Sequence, residues 1–195
     1  MRKVIVSEFL TLDGVMQGPG SPDEDRRGGF DRGGWQMPYF DDVFGREVSQ
    51  GLEAAGGLLL GRVTYEIFAG YWPSAPDDPM TATMNRLPKL VASTTLKEPL
   101  HWQNSSLVPG DIAEAIPKLK EEPGNDLVVI GSGGLARALM QHDLVDEYRL
   151  MVHPIVLGRG ARLFGENGPR IPLRLVETTP STTGVLLLTY EPERR

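Results

Sequence analysis

The chain has 195 residues, of which 40% are hydrophobic and 24% charged, which predicts a soluble globular protein with a sizeable core. Its net charge of −6 argues against a general nucleic-acid binder, and the absence of cysteine excludes disulfides, thiolate nucleophiles and cysteine-ligated zinc. The apolar runs reach neither the ~20 residues of a membrane span nor the core of a signal peptide, so we expect a cytoplasmic protein without a membrane partner.

The N-terminal part of the chain predicts two strands separated by a long loop and a helix. The loop, residues 18–38, is rich in glycine, proline and charged residues, and loops of this length are often functional and otherwise disordered. Apolar residues recur at helical spacing behind two aspartates, Asp41 and Asp42, either of which could cap the helix. In chain order the elements are a strand over 3–12, the loop, a helix over 40–56 and a buried strand over 57–61.

The rest of the chain repeats strand and helix and closes with a hairpin. Pro117 should kink or shorten one of these helices. The closing segment has two apolar runs around a turn between Pro180 and Gly184, as in an antiparallel hairpin. In chain order the elements are a loop over 72–80, a short helix over 80–88, a strand over 89–94, a helix over 110–122, a strand over 126–131, a helix over 134–143, a strand over 147–158 and the hairpin over 173–191.

This order of elements predicts the α/β class. Short apolar strands without alternation are typical of a sheet that is covered on both faces, and helical connections between strands favour parallel pairing. The hairpin adds antiparallel strands at one edge. We therefore expect a single three-layer domain over residues 1–195, with a mostly parallel central sheet and a C-terminal antiparallel hairpin.

Two of the predicted strands end in side chains that suit a phosphate. In "LLLGRVTYE" the strand ends at Gly61, where the chain can turn, and Arg62 offers a planar guanidinium for a terminal phosphate, with Thr64 behind it. The hydroxyls of Ser93 and Thr94 end another strand and can donate to phosphate oxygens, although β-propensity and a turn would explain them alone. Ligands of open α/β sheets bind beyond the carboxyl ends of the strands.

A third strand ends in the glycine-rich turn of "LVVIGSGGLARAL". Gly131, Gly133 and Ala136 follow the G-x-G-x-x-A pattern between a strand and a helix. Such a turn exposes backbone N–H groups at a helix N-terminus, which favours phosphate, but a tight turn without a ligand would show the same pattern. A true Rossmann fold is disfavoured, because the next strand does not end in the acidic residue that binds the ribose. One ligand with several phosphates could use all three strand ends.

The segment "LLLGRVTYE" resembles the glycine-arginine-x-threonine-aromatic-glutamate segment of dihydrofolate reductases, and "VIGSGG" with its following helix resembles their second cofactor turn. "SEFLTLDGVM" resembles their first strand and the start of their mobile loop. The segment "LVDEYRLMVHPIVLGRGARLF", residues 144–164, is closer to the reductase domain of riboflavin biosynthesis. Over nearly its whole length, the chain resembles the bacterial dihydrofolate-reductase-like proteins grouped with this C-terminal domain of the bifunctional deaminase-reductase.

The resemblance implies a dihydrofolate-reductase-like fold, NADPH as hydride donor and a small heterocyclic substrate of the 5-amino-6-(5-phosphoribosylamino)uracil type. Arg62 would then meet the 2′-phosphate side of NADPH and Thr64 the pyrophosphate. Ser93 and Thr94 would line the adenosine-phosphate pocket. The turn that wraps the pyrophosphate and the nicotinamide ribose would consist of Gly131, Ser132, Gly133, Gly134 and Leu135. By the same analogy we expect a homodimer.

Two aspartates are candidate catalytic residues, because reduction of a pterin or an imine needs a proton as well as a hydride. Dihydrofolate reductases place an acid two residues after a proline, whereas Asp41 stands three residues after Pro38. Helix capping is the alternative role for Asp41. Asp13 matches the aspartate of the riboflavin-reductase "LDG" segment and either contacts the substrate or makes a turn.

The leading hypothesis is thus an NADPH-dependent reductase of the riboflavin type. A dihydrofolate reductase is a narrower alternative, and a nucleotide- or heterocycle-binding protein without turnover is an alternative from another class. No metal is expected, because His101, His142 and His153 lie far apart, without the spacing of metal ligands.

Overall fold

The computed structural model describes residues 1–165 and 167–193. Its strands are β1 Val4–Thr11, β2 Gly57–Gly61, β3 Lys89–Ala92, β4 Ser105–Leu107, β5 Leu127–Ile130, β6 Glu147–His153, β7 Leu173–Pro180 and β8 Leu186–Pro192. Its α-helices are α1 Asp42–Glu53, α2 Arg62–Tyr71, α3 Pro79–Arg86, α4 Ile112–Glu121 and α5 Gly133–Gln141. None of the helices described is long and apolar enough to cross a membrane.

The described strands form one eight-stranded sheet in the order β4-β3-β2-β5-β1-β6-β8-β7. Strands β1 to β6 are parallel, whereas β8 is antiparallel to both β6 and β7. The six parallel strands therefore have their carboxyl ends at the same edge of the sheet. The three strand ends with phosphate-suited groups belong to β3, β2 and β5, which are neighbours in the sheet.

Helices cover both faces of this sheet. On one face, Val6 of β1 packs in a cluster with Leu135 and Leu139 of α5. On the other face, Ile5 of β1 packs in a cluster with Tyr65 of α2. The predicted three-layer α/β class, with a mostly parallel sheet and a C-terminal antiparallel hairpin, is confirmed.

The loop over 18–38 is packed against the rest of the protein. Phe30 and Trp35 are buried in a cluster with Val15 and Leu157. The Trp35 indole N–H also donates to the backbone carbonyl of Gln17 (2.8 Å). Two aromatic anchors thus fix a segment whose composition alone resembles that of a disordered one.

Four features differ from the sequence prediction. One is β4, which lies in a segment for which the sequence pattern predicts no element. The sequence pattern does not predict α2, because valine, threonine and tyrosine near its start have low helix propensity. Burial of Tyr65 stabilises this helix. Helix α4 continues through Pro117 to Glu121, since its packed face, with Ile116 fully buried, outweighs one missing hydrogen bond. Strand β6 ends at His153 rather than 158, because Pro154 has no N–H to donate.

Candidate functional site

The β2–α2 and β5–α5 junctions are joined by hydrogen bonds. The Gly61 N–H donates to Ser132 Oγ (2.9 Å), and the Ser132 N–H donates to Thr64 Oγ1 (2.7 Å). The Ser132 hydroxyl donates in turn to the carbonyl of Ile130 (3.0 Å). The structure thus brings Gly61, Thr64 and Ser132 together, and it uses both the hydroxyl and the backbone N–H of Ser132 within the protein.

The turn after β5 requires glycine at its first position. Gly131 has a φ of 56°, and an added Cβ would lie 3.0 Å from Thr64 Oγ1. Ser132 is also left-handed, with a φ of 56°. At Gly133 an added Cβ would lie 2.7 Å from the sulfur of Met16, whereas at Gly134 it would meet no atom within 4 Å. The turn is therefore tight against the protein at Gly131 and open at Gly134.

Helix α5 begins directly after this turn and offers free backbone donors. Its N-cap, Ser132, makes no capping hydrogen bond with its side chain, and the first backbone bond runs from Ala136 N–H to the Ser132 carbonyl. In a helix the N–H groups of the first turn have no intrahelical acceptor and carry the positive end of the helix dipole. Gly133, Gly134 and Leu135 provide these groups, and such an arrangement suits an anion.

Arg62 is the first residue of α2, immediately beyond the end of β2. Its guanidinium is about half exposed and contacts Glu66 Oε2 at 2.8 Å, one helical turn away. An exposed pair of this kind contributes little stability, so a bound anion can compete for the arginine. The side chain lies at the edge where the glycine-rich turn is also found.

Ser93 and Thr94 follow β3 in the turn at the next strand end. Ser93 Oγ accepts from the backbone N–H groups of Thr95 (3.2 Å) and Leu96 (3.0 Å), so it closes the turn. Thr94 is exposed. The two residues share the carboxyl edge with Arg62 and the glycine-rich turn, as the order β3-β2-β5 requires.

The two candidate catalytic aspartates are hydrogen-bonded within the protein. Asp41 is the N-cap of α1, and the Phe44 N–H, followed by bonds from Thr182, lowers its pKa to about 2. Burial would raise the pKa of Asp13, but hydrogen bonds from Thr11 and from the N–H groups of Leu157 and Gly158 lower it to about 2. Both carboxylates are ionised at neutral pH. Asp41 makes the hydrogen bonds of a helix cap and Asp13 those of a turn, which are the alternative roles of these two residues.

A buried acid, Glu8, is a site candidate that the sequence pattern did not single out. It lies on β1, is only 3% exposed, and burial raises its pKa well above the usual value even though a bond from the Gly131 backbone opposes this. Within the residues described, its Oε1 has no hydrogen-bond partner. The available signal was a carboxylate inside the otherwise apolar strand "VIVSEFL".

A second such candidate, His153, ends β6 inside a ring of aromatic side chains. It is fully buried, and its ring lies 5.1 Å from Trp35, 5.8 Å from Tyr39 and 5.6 Å from Phe44, edge to face in each case. Its Nδ1 lies 2.9 Å from the carbonyl of Met151, whereas Nε2 has no partner in the described part of the chain. Burial lowers the pKa of His153, so the ring is neutral at physiological pH.

Two cavities lie away from the glycine-rich turn. One, of about 310 Å³, is apolar and lies between α5, β6 and the chain before β7, with Tyr148 and Leu163 in its wall. The other, of about 350 Å³, is lined by Arg27 and Arg159. Among the residues described, no group of three histidine or acidic side chains could hold a metal ion.

A parallel sheet with helices on both faces and an antiparallel C-terminal hairpin form a dihydrofolate-reductase-like fold. The RibD C-terminal domain family matches residues 2–187, and the chain belongs to this family. The resemblance drawn from the sequence is therefore confirmed.

Three proteins illustrate the relationship. YyaP, an uncharacterized protein of Bacillus subtilis (strain 168), is 30% identical over 194 residues, which are 97% of this chain and 94% of YyaP. The solved structure of a Shewanella sp. PV-4 protein named for riboflavin biosynthesis is similar with a TM-score of 0.73 at 23% identity, covering 98% of this chain and 99% of that one. Dihydrofolate reductase from Enterococcus faecalis, complexed with NADP(H), is similar with a TM-score of 0.62 at 13% identity, covering 98% and 97%.

Proposed function

We propose that the protein is an NADPH-dependent reductase of a small heterocyclic substrate, of the 5-amino-6-(5-phosphoribosylamino)uracil type. The observation that carries this proposal is the alignment of three phosphate-suited strand ends on the adjacent strands β3, β2 and β5. The family and the NADP(H)-bound dihydrofolate reductase of the same fold support it. When bound, NADPH would supply the hydride.

The residues of this edge fit a dinucleotide in extended form. Arg62, which is paired with the exposed Glu66, would bind the 2′-phosphate, and Ser93 and Thr94 would line the adenosine side. The free N–H groups at the start of α5 would bind the pyrophosphate, next to Thr64. The open side of Gly134 allows the ligand to approach the backbone closely.

Asp41 and Asp13 retain a proposed catalytic role in a restricted form. A carboxyl with a pKa of about 2 holds no proton at neutral pH, so neither can donate its own. Each can orient a water molecule or accept an N–H of the substrate. In this proposal the proton that accompanies the hydride comes from solvent, and substitution of either aspartate by asparagine lowers turnover without changing the affinity for NADPH.

Calorimetry with NADPH and NADH tests the cofactor assignment. The wild-type protein should bind NADPH more tightly, and Arg62→Ala should weaken NADPH about tenfold or more, as expected for a lost hydrogen bond to a charged group, while NADH changes little. Arg86→Ala is the matched control, because Arg86 is an exposed helical arginine that precedes β3 at the opposite edge of the sheet. If neither dinucleotide binds, the proposed function is wrong.

The hydrogen bonding of both aspartates also favours a second candidate, a protein that binds a nucleotide or heterocycle without turnover. Loss of NADPH absorbance, measured with the pyrimidine intermediate and with dihydrofolate, distinguishes the candidates. Consumption with the pyrimidine supports the proposal, and consumption with dihydrofolate alone supports a dihydrofolate reductase. Tight NADPH binding without consumption of either substrate favours the binding protein.

A further inference from the structure

Glu8 occupies a central position beside the glycine-rich turn. It lies on β1, between β5 and β6 in the sheet. In the register, Ser7 pairs with Ile130, the last residue of β5, and Glu8 pairs with Leu150 of β6. Glu8 is therefore level with Gly131, where the chain leaves β5 for the turn that leads to α5.

The surroundings of Glu8 are apolar. Its neighbours on the same face of β1, Val6 and Leu10, belong to a cluster with Met16 of the following loop and Leu135 of α5. The carboxyl group is bonded by the Gly131 backbone, and the side chain is only 3% exposed. In the chain as described, Oε1 has no hydrogen-bond partner and no ion pair involves Glu8.

An unpaired buried oxygen destabilises a folded protein unless a ligand supplies its partner, and native structures contain few such atoms. Among the residues described, the buried lysines Lys89 and Lys120 each have hydrogen-bond or ion-pair partners. Three other buried side-chain atoms in the described part of the chain also have no partner, on Trp72, Ser105 and His153, but Glu8 Oε1 is the one carboxyl oxygen in this set. Its place behind the α5 N-terminus points to a ligand at that turn.

We propose that Glu8 contacts the ligand directly and that its Oε1 hydrogen-bonds an uncharged amide-like group, the carboxamide of the nicotinamide ring. This assignment rests on the proposed function and adds a residue that recognises one half of the dinucleotide. In this arrangement two different groups at the turn bind the two parts of the dinucleotide. The helix N–H groups face the phosphates, and Glu8 faces the neutral nicotinamide end.

The chemistry of a buried acid favours a carboxamide over a phosphate. Burial without a cation favours the neutral form of Glu8 and raises its pKa well above the usual value. A neutral carboxyl group presents one donor and one acceptor side by side, and a primary carboxamide presents the complementary pair. An ionised carboxylate at the same place would repel the phosphates at the α5 N-terminus.

Met16 provides a means of access. It is 8% exposed, belongs to the apolar cluster that contains Val6 and Leu10, the neighbours of Glu8 on β1, and its sulfur lies 2.7 Å from where a Cβ of Gly133 would be. Methionine is unbranched and adapts to irregular spaces, so its side chain can move aside when a flat ring arrives. In this arrangement Met16 covers the carboxamide position in the ligand-free protein.

Calorimetry on the full chain tests the assignment with two probes, NADPH and 2′-phospho-ADP-ribose, which lacks the nicotinamide. Glu8→Leu should weaken NADPH about tenfold or more and leave the affinity for 2′-phospho-ADP-ribose unchanged. Glu8→Gln, which keeps a donor and an acceptor, should bind NADPH nearly as well as wild type. Glu8→Met gives a second apolar variant of closer shape should the leucine variant fail to fold.

Glu147 supplies the matched control, since it is buried at the start of β6 but paired with Lys3 and Arg149. Glu147→Gln should leave both affinities unchanged. The assignment is overturned if Glu8→Leu and Glu8→Met bind NADPH like wild type, or if they lose both probes equally. If the wild-type protein binds neither NADPH nor NADH, the proposed function falls. If the wild-type protein binds NADPH and the apolar Glu8 variants bind it equally well, the assignment of Glu8 alone falls, so the two failures are distinguished.

Discussion

Asp41 joins the start of α1 to the turn between β7 and β8. Its Oδ1 accepts from the Phe44 N–H (2.8 Å), and its Oδ2 accepts from both the N–H and the hydroxyl of Thr182 (2.6 Å each). The Phe44 N–H and the Thr182 bonds hold its pKa at about 2, below the ordinary 3.8. A carboxylate held in this way stabilises the folded state at neutral pH.

We therefore expect Asp41→Ala to lower the thermal midpoint at pH 7. Because the folded-state pKa lies below the unfolded one, the contribution is complete above the unfolded value of about 3.8 and is lost as the pH falls towards 2. The difference in midpoint between wild type and variant should shrink across this window. Asp42→Ala, at the exposed next position, should lower the midpoint less. An equal decrease would contradict the capping role of Asp41.

Lys89 shows the opposite electrostatic case. It is fully buried at the start of β3, where its Nζ donates to the carbonyls of Met84 (3.1 Å) and Asn85 (3.0 Å) at the end of α3. The ammonium lies 4.0 Å from the ring centroid of Trp102. Burial lowers the pKa of Lys89 from 10.5 to about 8.

This shift predicts that wild-type stability rises with pH relative to Lys89→Met. Between pH 8 and 10.5 the unfolded chain binds a proton on Lys89 that the folded protein does not bind, so raising the pH favours the folded state. Below pH 8 both states are protonated and the difference is constant. Urea unfolding of both proteins across this pH range measures the difference between their free energies of unfolding. A difference that does not change with pH would contradict the lowered pKa of Lys89.

At the scale of elements, tertiary contacts stabilise a helix that the local sequence pattern does not predict. Helix α2 carries residues of low helix propensity, yet Tyr65 is buried. The Tyr65 hydroxyl accepts a hydrogen bond (3.0 Å) from the backbone N–H of Trp102, thirty-seven residues away. No local pattern contains that partner. The glycine-rich turn was predictable, because glycine spacing between a strand and a helix has a direct backbone cause.

The two ends of this turn should respond oppositely to alanine. Gly131→Ala places a side chain at a φ of 56° and 3.0 Å from Thr64 Oγ1, which we expect to cost about 1–3 kcal/mol. Gly134→Ala enters open space in a helix and should stabilise the protein by up to ~1 kcal/mol. Thermal unfolding should separate the variants, at roughly 2–4 °C per kcal/mol.

The Gly134→Ala protein also reports on the ligand. If a dinucleotide lies against the open side of Gly134, the added methyl group should weaken NADPH binding in a protein that is more stable than wild type. Unchanged affinity would mean that the ligand does not approach this backbone position.

For the whole molecule, the sequence predicted the class of fold because strand ends and helix spacing are local. It also placed Arg62, Ser93 and the glycine-rich turn at strand ends. Their meeting at one edge depends on the strand order β3-β2-β5, which is a long-range property. The sequence did not single out Glu8 and His153 as site candidates, because each is a candidate through its burial and its unpaired atom. Only the packed structure shows these two properties.

The C-terminal hairpin is the most exposed part of the sheet. Strand β7 is an edge strand, and Leu175 and Val176 on it are 47% and 48% exposed. A register shift between Leu175 and Glu177 bends the strand, and such bulges hinder pairing with another edge. For the homodimer predicted from the sequence, we therefore expect the second copy to contact the apolar side chains of the hairpin rather than extend the sheet.

The predicted homodimer can be tested through this hairpin. Light scattering of the wild-type protein should give twice the mass of the chain, and Val176→Lys should shift the protein to monomer, because a charge in an apolar contact must be desolvated. Leu12→Lys is the matched control, since Leu12 is 68% exposed and follows β1 at the carboxyl edge of the sheet. A monomeric wild type would contradict the homodimer, and a dimeric Val176→Lys would place its interface away from β7.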